Sequence, residues 1–267
     1  MSGFVIPAIY AVLVWWFTTG LILLLDGLAT RTFRWSMTAA TIILAATVYY
    51  VRSSSADASV QGAYVAFSCA ILVWGWLEMS FLMGFITGPR KAACIEQCSG
   101  WRHFVHATQA IIYNELATLC AACAITAATW GSPNRLTLWT FIVLWTMRLS
   151  AKLNLFLGVP NIGDKFLPAH LQYLKGFFRK RAMNFLFPVS ISVSTVATVV
   201  LVQRYLSAGS AFHQVSLALL TSLLALAVLE HWFMVLPLPS ERLWNWALRA
   251  KRGPQNSHLT SHRHATL

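Results

Sequence analysis

The chain has 267 residues, of which 57% are hydrophobic and only 10% charged, with a mean hydropathy of +0.61; ordinary globular domains carry about 25% charged residues, so a soluble fold is excluded. Twenty Lys and Arg against 8 Asp and Glu give a formal charge of +12, but the cations are not gathered on a soluble module, which excludes a nucleic-acid partner. The expected class is all-α, a polytopic membrane helix bundle with the lipid bilayer as its first partner.

Crossing about 30 Å of hydrocarbon takes about 20 helical residues, and seven runs qualify: Phe4 to Leu28, Trp35 to Val51, Val60 to Ile86, Ala107 to Trp130, Leu136 to Leu157, Asn184 to Tyr205 and Phe212 to Leu236. The second is the shortest. The runs are continuous rather than alternating, which argues against a barrel. No basic residue precedes the first run and no small-residue cleavage site follows it, so it reads as a retained helix. With these spans, Arg52, Arg135 and Arg204 fall on one side and the other 17 of the 20 cations on or nearest the opposite side. That asymmetry predicts a periplasmic N-terminus and a cytoplasmic C-terminus. Residues 1–239 form the bundle, with a cytoplasmic interfacial segment at 158–183, and 240–267 form a basic cytoplasmic tail whose His-containing end reads as disordered.

In chain order, Asp26 closes the first span beside Gly27 and reads as an interfacial charge in water. The stretch RSSSADAS (52–59) is a short polar connector. The third span carries Glu78 about eight residues, roughly 12 Å, from its cytoplasmic end, then stops at GFITGPRKAAC, where Gly88 and Pro89 break the helix. Cys94, Cys98, His103 and His106 follow as C-x3-C-x4-H-x2-H, ligand types suited to zinc at a non-standard spacing. The alternative is a reduced loop leading into an amphipathic helix start at Trp101 to Ala110. Cys120 and Cys123 lie inside an apolar helix and, like Cys69, read as packing residues; no disulfide framework is indicated.

The fourth span places Glu115 roughly 12 Å deep, the fifth places Arg148 and Lys152 roughly 13 and 7 Å deep, and the seventh places Glu230 and His231 roughly 9 Å deep, all in the cytoplasmic half. Arg148 and Lys152 are one turn apart on the same helix face, and a cation at membrane depth is costly unless paired or hydrated. A buried polar cluster of Glu78, Glu115, Arg148, Lys152, Glu230 and His231 is therefore expected, serving either as interhelical ion pairs or as a ligand or proton site. A di-iron carboxylate centre is a sharper version, although the Glu-x-x-His spacing of such bundles is absent. His231 could alternatively ligate the magnesium of a chlorin. The seventh span has no lysine for a retinal Schiff base, which sets a rhodopsin aside. AHLQYLKGFFRKR (169–181) has apolar residues above a basic run and suits an interfacial helix or a docking surface, and ERLWNWALRAKR in the tail is a second such stretch.

Several stretches together resemble the PuhE family, photosynthetic complex assembly proteins of purple bacteria encoded alongside reaction-centre genes. They are EMSFLMGFITGPR (Glu78 to Arg90), NELA (Asn114 to Ala117), TWGSPN with LWTFIVLWTMRLSAKLNLFLGVPN (Thr129 to Asn161), FLPAHLQYL (Phe166 to Leu174) and EHWFMVLPLP (Glu230 to Pro239). The resemblance implies a bacterial inner membrane location and a role in assembling the reaction-centre and light-harvesting complexes or in modulating bacteriochlorophyll supply. Reaction-centre or light-harvesting subunits and pigment-synthesis enzymes are then the expected partners, with bacteriochlorophyll or a precursor as the ligand to consider. It carries over no catalytic residues. The alternative is an intramembrane enzyme, or accessory subunit, of bacteriochlorophyll synthesis that uses the buried carboxylates.

Overall fold

The computed structural model describes residues 2–94, 98–163 and 166–251. Seven long helices run back and forth: α1 (Ser2–Asp26), α2 (Phe33–Ser55), α3 (Val60–Leu82), α4 (Gly100–Ala128), α5 (Leu136–Leu157), α6 (Leu186–Leu206) and α7 (Ala211–Phe233), followed by the short α8 (Asn245–Lys251). No strand occurs among the described residues. Six of the helices, α1 and α3 to α7, are long and apolar enough to cross a membrane, which makes the chain a polytopic membrane helix bundle.

Side-chain contacts fix the direction of each helix. Tyr10 meets Ser68 at 2.6 Å, and the Gly20 to Ile22 turn of α1 lies beside Gly75, so α1 and α3 are parallel. Thr137 donates to the Ala66 carbonyl at 2.9 Å and Trp74 packs edge-on against Phe141, which makes α5 parallel to them. Ala11 shares a core with Val215 and Leu219 while Trp15 reaches Glu230, so α7 is parallel as well. The even-numbered helices run the other way, as the Trp76 to Thr41, Lys152 to Glu115 and Ser150 to Ser190 contacts show. The chain therefore has one end carrying residues 27–32, 83–94, 98–99, 158–163, 166–185 and 234–251, called here the basic end, and a far end near residues 56–59, 129–135 and 207–210.

Helix α2 runs the full length of the bundle but falls short of the apolar content of the other six. Its threonine protons are spent within the helix, since Thr38, Thr41 and Thr47 each donate to a carbonyl one turn back at 2.8 Å, and Thr41 also accepts from Trp76 of α3. Its Met37 packs with Met79 of α3 and with Met83 just beyond the end of that helix.

The most enclosed helix is α3, where small residues at Ala63, Ala66 and Ala70 are essentially buried and allow close approach of α1, α5 and α7. It starts cleanly because Ser59 accepts from the Gly62 amide at 3.0 Å. It ends at Leu82, four residues before the expected limit at Ile86, with Gly84 at φ 82° turning the chain. Helix α5 ends as expected at Leu157, where Gly158 takes φ 122° with its α-carbon against the Arg181 side chain.

At the far end, Asn134 acts as a knot. Its amide nitrogen donates to the carbonyls of Ser54, Asp57 and Gly62 at 2.9 to 3.1 Å, and its oxygen accepts from the Leu136 amide at 3.0 Å. One fully buried carboxamide thus ties the α2 to α3 turn to the start of α5.

Two segments at the basic end depart from the sequence reading. Ala169–Phe177 is a 3-10 helix rather than an α-helix; Leu171, Leu174 and Phe177, spaced at its three-residue period, are buried against Phe81 and Ala110. The segment therefore packs inward as a plug. Asp26, expected in water, is buried at 4% exposure. The stretch from Pro239 to α8 folds back along α1: Trp16 donates to the Leu243 carbonyl at 2.9 Å, Trp244 donates to the Trp16 carbonyl at 3.0 Å, and Trp246 lies over Gly20.

Candidate functional site

Where the sequence counts polar residues to similar depths, the structure has a cavity of about 1170 Å³. Its walls are mostly apolar, from α1, α3, α4, α5 and α7. Loop residues Pro160 to Gly163 and the returning segment Pro237 to Pro239 with Trp244 close it at the basic end. Glu78, Glu115, Arg148, Lys152, Glu230 and His231 all line this void.

They do not form one network. Arg148 donates to Glu78 of α3 at 2.8 Å and Lys152 donates to Glu115 of α4 at 2.6 Å, so two cations on one face of α5 fork to two different helices. Lys152 also sits 5.4 Å from the centre of the Phe81 ring, a cation–π contact that adds to the pairing where water is scarce. Glu230 has no ion-pair partner within 4.0 Å among the described residues; it accepts from Trp15 Nε1 at 3.0 Å. It lies close enough to Arg148 and Glu78 to interact with both electrostatically, and its side chain faces open space instead of packed neighbours. The cavity therefore has an apolar body with one lone carboxylate and two neutralised pairs along its wall.

His231 belongs to a separate hydrogen-bond chain. It is 2% exposed; Nδ1 lies 2.9 Å from the Ala227 carbonyl and Nε2 3.0 Å from Ser150 Oγ. A carbonyl can only accept, so Nδ1 donates to it, and Nε2 lies against the hydroxyl of Ser150, whose own proton goes to Ser190 Oγ. Ser150 in turn touches Ser190 at 3.0 Å, and Asn154 donates to Ser190 at 3.2 Å, joining α5, α6 and α7. Both ring nitrogens of His231 are thus engaged within the bundle in this structure. The di-iron version is corrected, because Glu78 and Glu115 each hold a cation and no set of three Glu, Asp or His ligands converges inside the bundle among the described residues.

In the loop between α3 and α4 the sequence named four candidate ligands, and the structure gathers three. Cys94 and Cys98 have their sulfurs joined, and His106 Nδ1 lies 3.5 and 3.2 Å from them. The expectation of a loop without paired cysteines is thereby corrected: four residues of separation bring the two α-carbons to 6.1 Å, within disulfide range. His103 is one turn earlier on α4 and points elsewhere, stacked 5.2 Å from Phe156 and 5.8 Å from Phe177.

Sequence reasoning missed Trp15 and Ser150. Trp15 lies in an apolar run with a second tryptophan beside it, which reads as an aromatic anchor. Ser150 sits two positions from both Arg148 and Lys152, on the opposite side of α5, and a hydroxyl in an apolar run was the available signal.

Comparison with known proteins places the chain. A Rhodobacter capsulatus protein described as "Uncharacterized 30.4 kDa protein in puhA 5'region" is 41% identical over 253 residues, spanning 92% of each chain. No solved structure matches. The match to one family extends over residues 1–255, and on these grounds the chain belongs to the family described as "Protein of unknown function (DUF3623)".

Proposed function

We propose that this membrane protein is a non-enzymatic factor for assembly of the photosynthetic reaction-centre and light-harvesting complexes, and that it acts by holding an amphipathic pigment or pigment precursor in its cavity. The observation that carries this reading is the cavity itself. At about 1170 Å³, with apolar walls and a few polar groups at one level, it has the character of a small-molecule site and is somewhat larger than the usual range of about 300 to 1,000 Å³. The position of the relative in a puhA 5' region supports a photosynthetic context, and the bacterial inner membrane as location. The ligand would be held by apolar contact and by hydrogen bonds to Glu230, since the histidine on the wall is fully engaged. The enzyme alternative is disfavoured by chemistry: Glu78 and Glu115 are each held by a cation, which leaves one lone carboxylate where acid–base work at a single substrate calls for a second group.

The test is gentle isolation of the tagged protein from photosynthetically grown cells, followed by an absorption spectrum and subunit analysis. Chlorin bands, or reaction-centre and antenna polypeptides, are expected; a colourless protein free of those partners overturns the proposal. His231→Leu is expected to lower thermal stability without shifting the bands of any bound pigment.

A further inference from the structure

A second site lies outside the cavity, where the loop after α3 meets the first turns of α4. Cys94, Cys98 and His106 bring two sulfurs and an imidazole nitrogen within 4.8 Å of one another. We propose that, with the two cysteines reduced, these three side chains bind one zinc ion at the basic end of the bundle.

The donor set fits first. Two thiolates and a neutral imidazole are ligands that zinc prefers over the hard cations. Geometry fits next. With Zn–S bonds of about 2.3 Å and a Zn–N bond of about 2.0 to 2.1 Å, the sulfur-to-nitrogen edge of a tetrahedral site is roughly 3.5 Å. The edges in the structure are 3.2 and 3.5 Å. The sulfurs must part on reduction, and α-carbons 6.1 Å apart let side-chain rotation do so without moving the backbone. Charge completes the fit. Arg90 and Arg102 lie near His106, and two thiolates around a divalent ion sum to zero, so the arginines do not oppose loading.

The ion would fasten the loop to α4. Gly176 of the 3-10 plug lies against Ala93 and the Cys94 amide, and Cys94 packs on the cluster that includes Leu174 and Phe177. The plug, the loop and α4 are thus secured at one point over the mouth of the bundle. Three protein ligands leave the fourth position of the tetrahedron open to water or to a side chain of a partner, the arrangement of exchangeable rather than closed sites.

The experiment uses the full-length protein in detergent, carrying a histidine-free tag, reduced with a phosphine, loaded with zinc and passed over a chelating resin. Metal per chain is then measured by mass spectrometry. One zinc per chain is expected for the wild type and for His103→Ala, and loss of that zinc for Cys98→Ser and for His106→Ala. The tail histidines His258, His262 and His264 are present in every variant and serve as the internal control. Zinc retained undiminished in both Cys98→Ser and His106→Ala overturns the proposal and assigns the metal to that tail. Cobalt titration of the reduced wild type decides independently of whether the variants fold. A thiolate-to-cobalt charge-transfer band supports the site; its absence, or a cysteine pair that resists reduction, overturns it.

Discussion

Arg148 on α5 and Glu78 on α3 meet at 2.8 Å, yet the arginine side chain is 41% exposed and the glutamate side chain 14%. The carboxylate is fixed in the wall while much of the guanidinium faces the void. Removing the enclosed partner is therefore the more damaging change, because it leaves a cation at depth with only the more distant Glu230 to offset it.

Glu78→Ala is expected to lower stability by about 2 kcal/mol, below the 3 to 5 of a fully buried pair because the arginine is partly open to solvent. Thermal unfolding in detergent and the amount of protein in membranes report it, with Leu72→Ala on the exposed face of α3 as the reference. Adding Arg148→Met should recover part of the loss. Equal behaviour of Glu78→Ala and Leu72→Ala would show that the pair does not hold the helices.

Asn134→Ala removes the knot at the far end and leaves three carbonyls and the Leu136 amide without their partner. At about 1 to 3 kcal/mol for each buried group left unsatisfied, and with water close enough to rescue some, a net loss of about 3 kcal/mol is expected. A drop of the unfolding temperature by no more than that of an exposed-site control would contradict this.

Gly88→Ala would bring a methyl group within 2.1 Å of the Gln109 carbonyl oxygen and 2.6 Å of the Ala110 carbonyl carbon. Both are backbone atoms of α4, so the loop must move instead of the neighbour. Overpacking of this kind costs about 1 to 3 kcal/mol or more, and a clear fall in membrane accumulation is the expected result.

Gly20→Leu fills the space occupied by Trp246, which would lie 2.1 Å from even the first added carbon. The bundle should persist while α8 is expelled. In a background with Cys69, Cys120 and Cys123 replaced, maleimide labelling of Ala247→Cys, buried at 0% exposure, should rise sharply when Gly20→Leu is added. Unchanged labelling would mean that α8 is not held by this contact.

The spans were legible because burial in lipid makes each helix nearly uniformly apolar, and the boundaries of α5 and α6 fall within a residue or two of the apolar runs. Helix α2 was the weakest run for a visible reason, its hydroxyl content. Depth along a helix could be counted, so six polar residues could be assigned to one level. Which carboxylate meets which cation could not be read, because that depends on helix order and rotation. Nor could the engagement of His231, which is decided by one serine on a neighbouring helix. The 3-10 plug was hidden by an assumption of α-helical period: Leu171, Leu174 and Phe177 recur every third residue, a spacing that fits both until packing selects the tighter coil.

The contact of the returning segment with α1 joins parts of the chain 227 residues apart. Trp15 and Thr18 of α1 and Pro239 and Trp244 of the returning segment all line the void, with Trp244 packed against Trp15, and they come together only when translation has passed the last of them. Until then the cavity lacks one wall and its cover. The pocket is therefore complete only once the returning segment has docked on α1.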